Sequence, residues 1–122
     1  MRTALLSDRR VITALVVAGA AGVGFAGYEV ARRYRPVGYA EARAVVNRRC
    51  VECHSDHPSS RAFPVAPKAV MLDTAGEMKQ YAPRIEATVA GDRSMPLANL
   101  SGMTDDERRA LARWVETGAK IP

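Results

Sequence analysis

The sequence predicts an all-α protein, in which one apolar N-terminal helix precedes a small helical domain. Two S/T-x-x-E capping boxes, Thr74 with Glu77 and Thr104 with Glu107, mark helix starts. Apolar residues follow each of them at spacings of three and four, which is typical of amphipathic helices. The chain has 122 residues, enough for one small domain and one further segment, and it shows no alternation of strands with helices.

The N-terminal segment, residues 11–28, is apolar or small throughout, and arginines flank it on both sides. With Val30 and Ala31 it reaches the roughly 20 residues that cross a bilayer. We therefore expect a transmembrane anchor here, with a cleaved signal peptide as the alternative. The predicted segments are residues 1–10 as a cytoplasmic N-terminus, 11–31 as the anchor, 32–38 as a linker and 39–122 as the helical domain.

Within the expected anchor, Ala18, Gly22 and Ala26 recur every four residues. Small residues at this spacing let two helices approach closely, so the stripe is a candidate contact for a membrane subunit partner. Alanine and glycine are also common in membrane spans generally, and that explanation is equally good.

The first helix of the domain is expected to run from about Tyr39 to Cys50. Its apolar residues lie at near-helical spacing, which places Arg43, Arg48 and Arg49 on the outward face. A proline-rich stretch without periodicity comes next and predicts a loop.

The middle region, residues 74–90, starts at the Thr74 capping box. Pro83 interrupts it, because proline lacks the N–H that a helix interior needs. The last helix starts at Thr104 with acidic residues in its first turn, where the helix dipole favours them. The residues of its inward stripe are Leu111, Trp114 and Val115.

Both cysteines of the chain lie in one pentapeptide, Cys50-Val51-Glu52-Cys53-His54. This C-x-x-C-H pattern is the signature of covalent c-type haem attachment. Positions i, i+3 and i+4 share one face of a helical turn, so both cysteines can form thioethers while His54 points its imidazole at the iron. We expect the carbonyl of Pro64 or Pro67 to accept the other N–H of His54.

Other interpretations of the motif are weaker. A structural zinc site needs four ligands, and only His57 remains nearby as the fourth. A thioredoxin-like redox pair needs a βαβ setting, which the sequence lacks. A haem would also supply apolar surface to a domain too short for a large core, so we expect the apo-domain to fold poorly.

The sixth iron position needs a second ligand, for which Met95 is the best candidate. Met95 precedes Pro96 in a Gly- and Ser-containing loop, residues 91–104, which can lie across the distal haem face. Ligation by His and Met raises the haem potential and leaves no open iron site, which suits one-electron transfer. Weaker candidates are Met103 as the fallback, His57, and Met71 and Met78, which are expected in the core.

The formal net charge is +5, spread along the chain without a Lys/Arg block interleaved with aromatic residues. This pattern argues against nucleic-acid binding. A mildly basic face can instead steer docking to an acidic redox partner protein.

With these residues, the domain resembles class I-type monohaem cytochrome c domains over nearly its whole length. The resemblance lies in the pentapeptide at 50–54, the Met95-Pro96 loop and the final helix with its W-V-E-T-G-A ending at 114–119. It implies that Cys50 and Cys53 bind one haem c covalently and that the iron is ligated by His54 and Met95.

A closer likeness is to the C-terminal cytochrome c domain of membrane-bound, cytochrome-fused urate oxidases. The similar stretches are A-P-K-A-V-M-L-D-T at 66–74 and M-P-L-A-N-L-S-G-M-T at 95–104. Those oxidases carry a large multi-span catalytic portion upstream, and this chain has no counterpart of it. The likeness therefore suggests, at most, a separate electron-accepting subunit.

The function expected from the sequence is that of a membrane-anchored electron carrier and not an enzyme. It would be a metal-binding protein of a respiratory chain, through its haem iron. It would pass single electrons from a periplasm-facing dehydrogenase or quinol-oxidising complex to a terminal acceptor. The expected place is the bacterial cytoplasmic membrane, single-pass, with the haem domain in the periplasm. The alternatives are a dedicated subunit of a larger oxidoreductase and a small haem peroxidase or sensor with open iron, for which Arg93 is the nearest distal residue.

Overall fold

The computed structural model describes residues 9–122, which are helical and contain no strand. The predicted all-α class is therefore confirmed for the described chain. The chain divides after Arg35 into two compact units, and each of them is described by itself.

The first unit contains helix α1, Arg9–Tyr34. The helix continues through the first residues of the predicted linker, residues 32–38, and ends just before Arg35. Pro36 explains this end, because the residue before a proline is disfavoured in the helical conformation.

The predicted transmembrane anchor is contradicted by the structure. Within residues 9–122, no helix combines the length and the apolar character that a membrane crossing requires. Glycine and alanine make up half of residues 11–28, and such small side chains contribute little apolar surface. The single-pass topology and the bacterial membrane localisation are therefore wrong as predicted. Most of the predicted cytoplasmic N-terminus, residues 1–8, lies outside the described residues.

The second unit, residues 36–122, contains the remaining helices and turns. The elements are α2 (Tyr39–Arg49), a 3₁₀ turn (Pro67–Ala69), α3 (Ala75–Gln80), α4 (Ala82–Ile85), the π-helical segment (Glu86–Gly91), a second 3₁₀ turn (Leu97–Asn99) and α5 (Asp105–Glu116). Helix α5 packs against α2, against α4 and against the π-helical segment that follows α4.

Both predicted capping boxes are present and explain where α3 and α5 begin. The hydroxyl of Thr104 accepts from the N–H of Glu107 at 3.2 Å, and the Glu107 carboxylate accepts from the N–H of Thr104 at 2.9 Å. Thr74 and Glu77 form the same pair of bonds at 3.2 and 2.8 Å. Each box satisfies two backbone donors that the first helical turn leaves free. The predicted interruption at Pro83 is also present, since Pro83 lies in the first turn of a separate helix, α4.

The core of the second unit is small and centres on α5. Trp114 is 1 % exposed, and its indole N–H donates to the carbonyl of Lys120 at 3.0 Å. The predicted inward stripe holds for Leu111, which is fully buried, and for Trp114. The other fully buried side chains of at least valine size are those of Met78 and Val46.

Candidate cofactor site

One cleft of the second unit is lined by all four side chains that the sequence assigns to haem binding: Cys50, Cys53, His54 and Met95. The cleft has a volume of about 210 Å³ and is partly open to solvent. Its wall contains residues from two segments distant in sequence. The apolar members of this wall are Ala62, Phe63, Pro67, Val89, Pro96, Leu97 and Leu100.

The C-x-x-C-H pentapeptide forms a tight turn directly after α2. The N–H of Cys50 donates to the carbonyl of Val46 at 2.9 Å, which continues the helical pattern for one residue. The N–H groups of Cys53 and His54 then donate to the carbonyl of Cys50 at 3.1 and 2.8 Å. The motif therefore lies at the C-terminal end of the first domain helix, as the sequence predicts.

Cys50 and Cys53 form no disulfide bond. Burial, followed by the neighbouring Cys53 and Glu107, raises the pKa of the Cys50 thiol to about 12. Cys50 is consequently a neutral thiol at pH 7. Conversion to a thioether would place no charge in the cleft, so the donor set fits a covalently attached porphyrin.

His54 is oriented by the backbone of residues 70–72. Its Nδ1 lies 3.0 Å from the carbonyl oxygen of Val70, so this nitrogen is the donor, and Nε2 is the nitrogen that the neutral imidazole can offer to a ligand. The N–H of Leu72 donates to the carbonyl of His54 at 3.0 Å. The predicted acceptor, Pro64 or Pro67, is therefore wrong: the 3₁₀ turn Pro67–Ala69 intervenes, and the extended backbone that follows it reaches His54 instead.

Two charged side chains hold this backbone segment against the motif. Arg43 donates to the carbonyl of Leu72 and, at 2.6 Å, to that of Asp73. The Asp73 carboxylate accepts from the Ser55 hydroxyl and from the N–H of Asp56, both at 2.7 Å. These hydrogen bonds lower the pKa of Asp73 below its ordinary value. Helical periodicity predicts Arg43 on the outward face. It cannot predict these hydrogen bonds, because the carbonyl acceptors lie about 30 residues away and leave no local pattern.

Met95 is half-buried. It lies far from the motif in sequence, on the segment that follows the π-helical segment. Its N–H donates to the carbonyl of Thr88 at 2.9 Å, and its carbonyl accepts from Arg108 at 2.7 Å. The fallback ligand Met103 is only 4 % exposed and belongs to the core, and His57 has a 94 % exposed side chain. Neither of them lines the cleft.

Arg49, which lines the cleft, connects its own helix with two other segments. Its Nε donates to the Glu107 carboxylate at 3.0 Å, and its Nη1 donates to the carbonyl of Ser101. Burial raises the pKa of Glu107. The hydrogen bonds from the Thr104 N–H and from the guanidinium groups of Arg49 and Arg48 lower this pKa by more than burial raises it, so the pKa of Glu107 lies below its ordinary value. Arg49 is thus not the outward-facing residue that the helical periodicity predicts.

The expectation of metal binding requires a correction. Within the described part of the chain, no group of three or more His, Cys, Asp or Glu side chains could hold a metal ion. The described part of the chain therefore forms no metal site from three or more such side chains. Comparisons of the chain with protein-family models, curated proteins and solved structures found no match.

Proposed function

We propose that the second unit is a monohaem c-type cytochrome domain, and that the protein carries single electrons between redox partner proteins. The observation that supports this most is the common cleft of the C-x-x-C-H turn and Met95. These residues come from separate parts of the sequence, and no local pattern forces them together. The resemblance of the same residues to class I cytochrome c domains supports the same function.

In this proposal each of the four residues has a separate role. Cys50 and Cys53 hold the porphyrin by thioether bonds, and His54 offers Nε2 to the iron while Val70 fixes its tautomer. Met95 offers its thioether sulfur from the other segment. The haem supplies a reversible one-electron couple, and a neutral imidazole with a thioether raises its potential.

The surroundings of the cleft favour a carrier over an open-site peroxidase. Peroxide chemistry needs an acid–base group beside the open iron position. Arg93, the residue considered for that role, forms an ion pair with Asp105, and its side chain is 56 % exposed. The protein is accordingly proposed as an electron-transfer protein and not as an enzyme.

The proposal is tested on the full chain, produced in a bacterial host that carries a covalent haem-attachment system. We expect an intact mass that exceeds the polypeptide by one haem, and low-spin spectra in both oxidation states. Replacement of both cysteines, Cys50→Ala with Cys53→Ala, should abolish the covalent haem. A wild-type chain that has the mass of its amino acids alone would refute the proposal.

Met95 and Met103 form a matched pair for the second ligand. Met95→Leu should give a ferrous protein that binds CO readily, because the iron then has an open position. Met103→Leu should keep the weak absorption band near the red end of the ferric spectrum, which reports bound methionine. The opposite result would assign the ligand to Met103, and rapid CO binding by the wild type would favour an open-site haem protein.

A further inference from the structure

Arg108 is a buried arginine that the sequence analysis did not single out. It belongs to α5 and is 6 % exposed, whereas its neighbour Arg109 is exposed and pairs with Asp106. A guanidinium keeps its charge under all ordinary conditions, so its burial is costly unless its N–H groups find acceptors. The positions of those acceptors therefore indicate what the residue does.

The acceptors of Arg108 all lie around the segment that carries Met95. Its Nη1 donates to the carbonyls of Val89 and Met95, each at 2.7 Å, and its Nη2 donates to Oδ1 of Asn99 at 3.1 Å. One planar group thus connects the end of the π-helical segment, the proposed ligand itself and the second 3₁₀ turn. Charged donors of this kind form the stronger class of hydrogen bonds.

The backbone of Met95 is consequently held at both of its polar groups. Its carbonyl is bound by Arg108, and its N–H donates to the carbonyl of Thr88 at 2.9 Å. Asn99 extends the hold, because its side-chain N–H donates to the carbonyl of Met103 at 3.2 Å. With the main chain fixed in this way, only the side-chain torsions of Met95 remain to place its sulfur in the cleft.

We propose that Arg108 is a positioning residue that keeps Met95 in place as the second axial ligand. The inference rests on the proposed function, since it concerns the same iron. Arg108 does not line the cleft and acts only through the backbone of the Met95 segment. Lysine is a poor substitute for it, because an ammonium donates from one nitrogen, whereas Arg108 reaches its three acceptors from two nitrogens of a planar group.

The test uses the full haem-loaded chain and the variants Arg108→Lys and Arg108→Met, with Arg109→Met as the matched control on the adjacent exposed position. The readouts are the red-end absorption band of the ferric protein and the rate of CO binding to the ferrous protein, both taken well below the melting temperature. A role in stability alone would lower the melting temperature without moving either readout.

Both Arg108 variants are expected to keep one covalent haem, to weaken the red-end band and to bind CO about tenfold faster or more, as expected for the loss of charged hydrogen bonds. Arg109→Met should match the wild type. An unchanged band with slow CO binding in folded Arg108→Lys or Arg108→Met would overturn the inference.

If neither Arg108 variant folds, the inference is tested with Asn99→Ala, because this variant removes one hydrogen-bond acceptor of Arg108 and leaves the buried charge of Arg108 in place. Faster CO binding in Asn99→Ala supports the inference, and wild-type behaviour overturns it. Failure of the proposed function is recognised separately, as a wild-type chain without covalent haem or with an open iron site.

Discussion

At the scale of single residues, backbone carbonyls orient the functional side chains of this protein. Val70 fixes the tautomer of His54, and the carbonyl of Met95 is bound by Arg108. Lys120 supplies a third such carbonyl, which accepts from the indole of Trp114 at 3.0 Å. Trp114 therefore combines a large buried ring with one directional bond, and these two contributions can be separated by mutation.

Trp114→Phe should lower the free energy of unfolding by about 1–2 kcal/mol, because it removes the hydrogen bond and part of the buried ring. Trp114→Ala should cost about 3–5 kcal/mol, since it leaves a cavity in the core. Denaturant unfolding of the three proteins measures both values. Equal losses in the two variants would show that the hydrogen bond, and not ring packing, is the main contribution.

At the scale of elements, Glu107 connects the start of α5 with the end of α2. It closes the capping box with Thr104, and it accepts from Arg49 at 3.0 Å and from Arg48 at 3.3 Å. Its side chain is 13 % exposed, so solvent screens these contacts less than it would on an open surface. One carboxylate thus joins α2, which ends directly before the pentapeptide, to α5, which contains Arg108.

Glu107→Gln should cost about 1–2 kcal/mol at pH 7, because the amide keeps the shape but loses the charge that the arginines stabilise. The pKa of Glu107 is lower in the folded state than its ordinary 4.5, so the unfolded state takes up the proton first as the pH falls. The stabilisation is therefore complete above about pH 5, and it is lost as the pH falls below 4.5 toward the folded-state pKa. Unfolding curves of the wild type and the variant should converge in that range.

The matched control for this prediction is Glu116→Gln at the other end of α5. Glu116 is 53 % exposed, and its carboxylate lies 3.7 Å from Nε of Arg113. Exposed pairs of this kind contribute little, so the control should stay within about 0.5 kcal/mol of the wild type at every pH. A loss at Glu116 as large as that at Glu107 would contradict the argument from burial.

At the scale of the whole molecule, the buried core is contained in the second unit. Its apolar members run from Val37 to Ala119, and the cleft is lined by residues 49–101. The core and the cleft on which the proposed function depends are therefore both formed by residues after Arg35.

A chain consisting of residues 36–122 should attach haem and unfold cooperatively at about the same temperature as the full-length protein. The reason is that all buried apolar side chains of the core remain in the shorter chain. Thermal unfolding followed in the haem absorption and by circular dichroism measures this. A shorter chain that binds haem but melts well below the full-length protein would assign a stabilising role to α1.

How much of the structure could be predicted from the sequence depends on how far apart in the sequence the interacting residues lie. The start of α5 could be predicted because a capping box needs only Thr104 and Glu107, three positions apart. The interruption at Pro83 could be predicted because proline acts on its own backbone. The environments of Arg43 and Arg108 could not, because their acceptors are carbonyls of distant segments. The charge pattern of the sequence predicts that such residues are exposed to solvent. Only the tertiary fold shows where their guanidinium groups lie.

The pairing of His54 with residues 70–72 offers a reporter that requires no substitution of a proposed ligand. The amide of Leu72 is bonded to the carbonyl of His54, and it can exchange with deuterated solvent only when this segment separates from the pentapeptide. The exchange rate of this amide therefore reports how often the segment separates from the pentapeptide beside the imidazole of His54. Haem attachment should slow that rate markedly at Leu72, and the exposed end of the chain near Pro122 should exchange at the same rate with and without the cofactor.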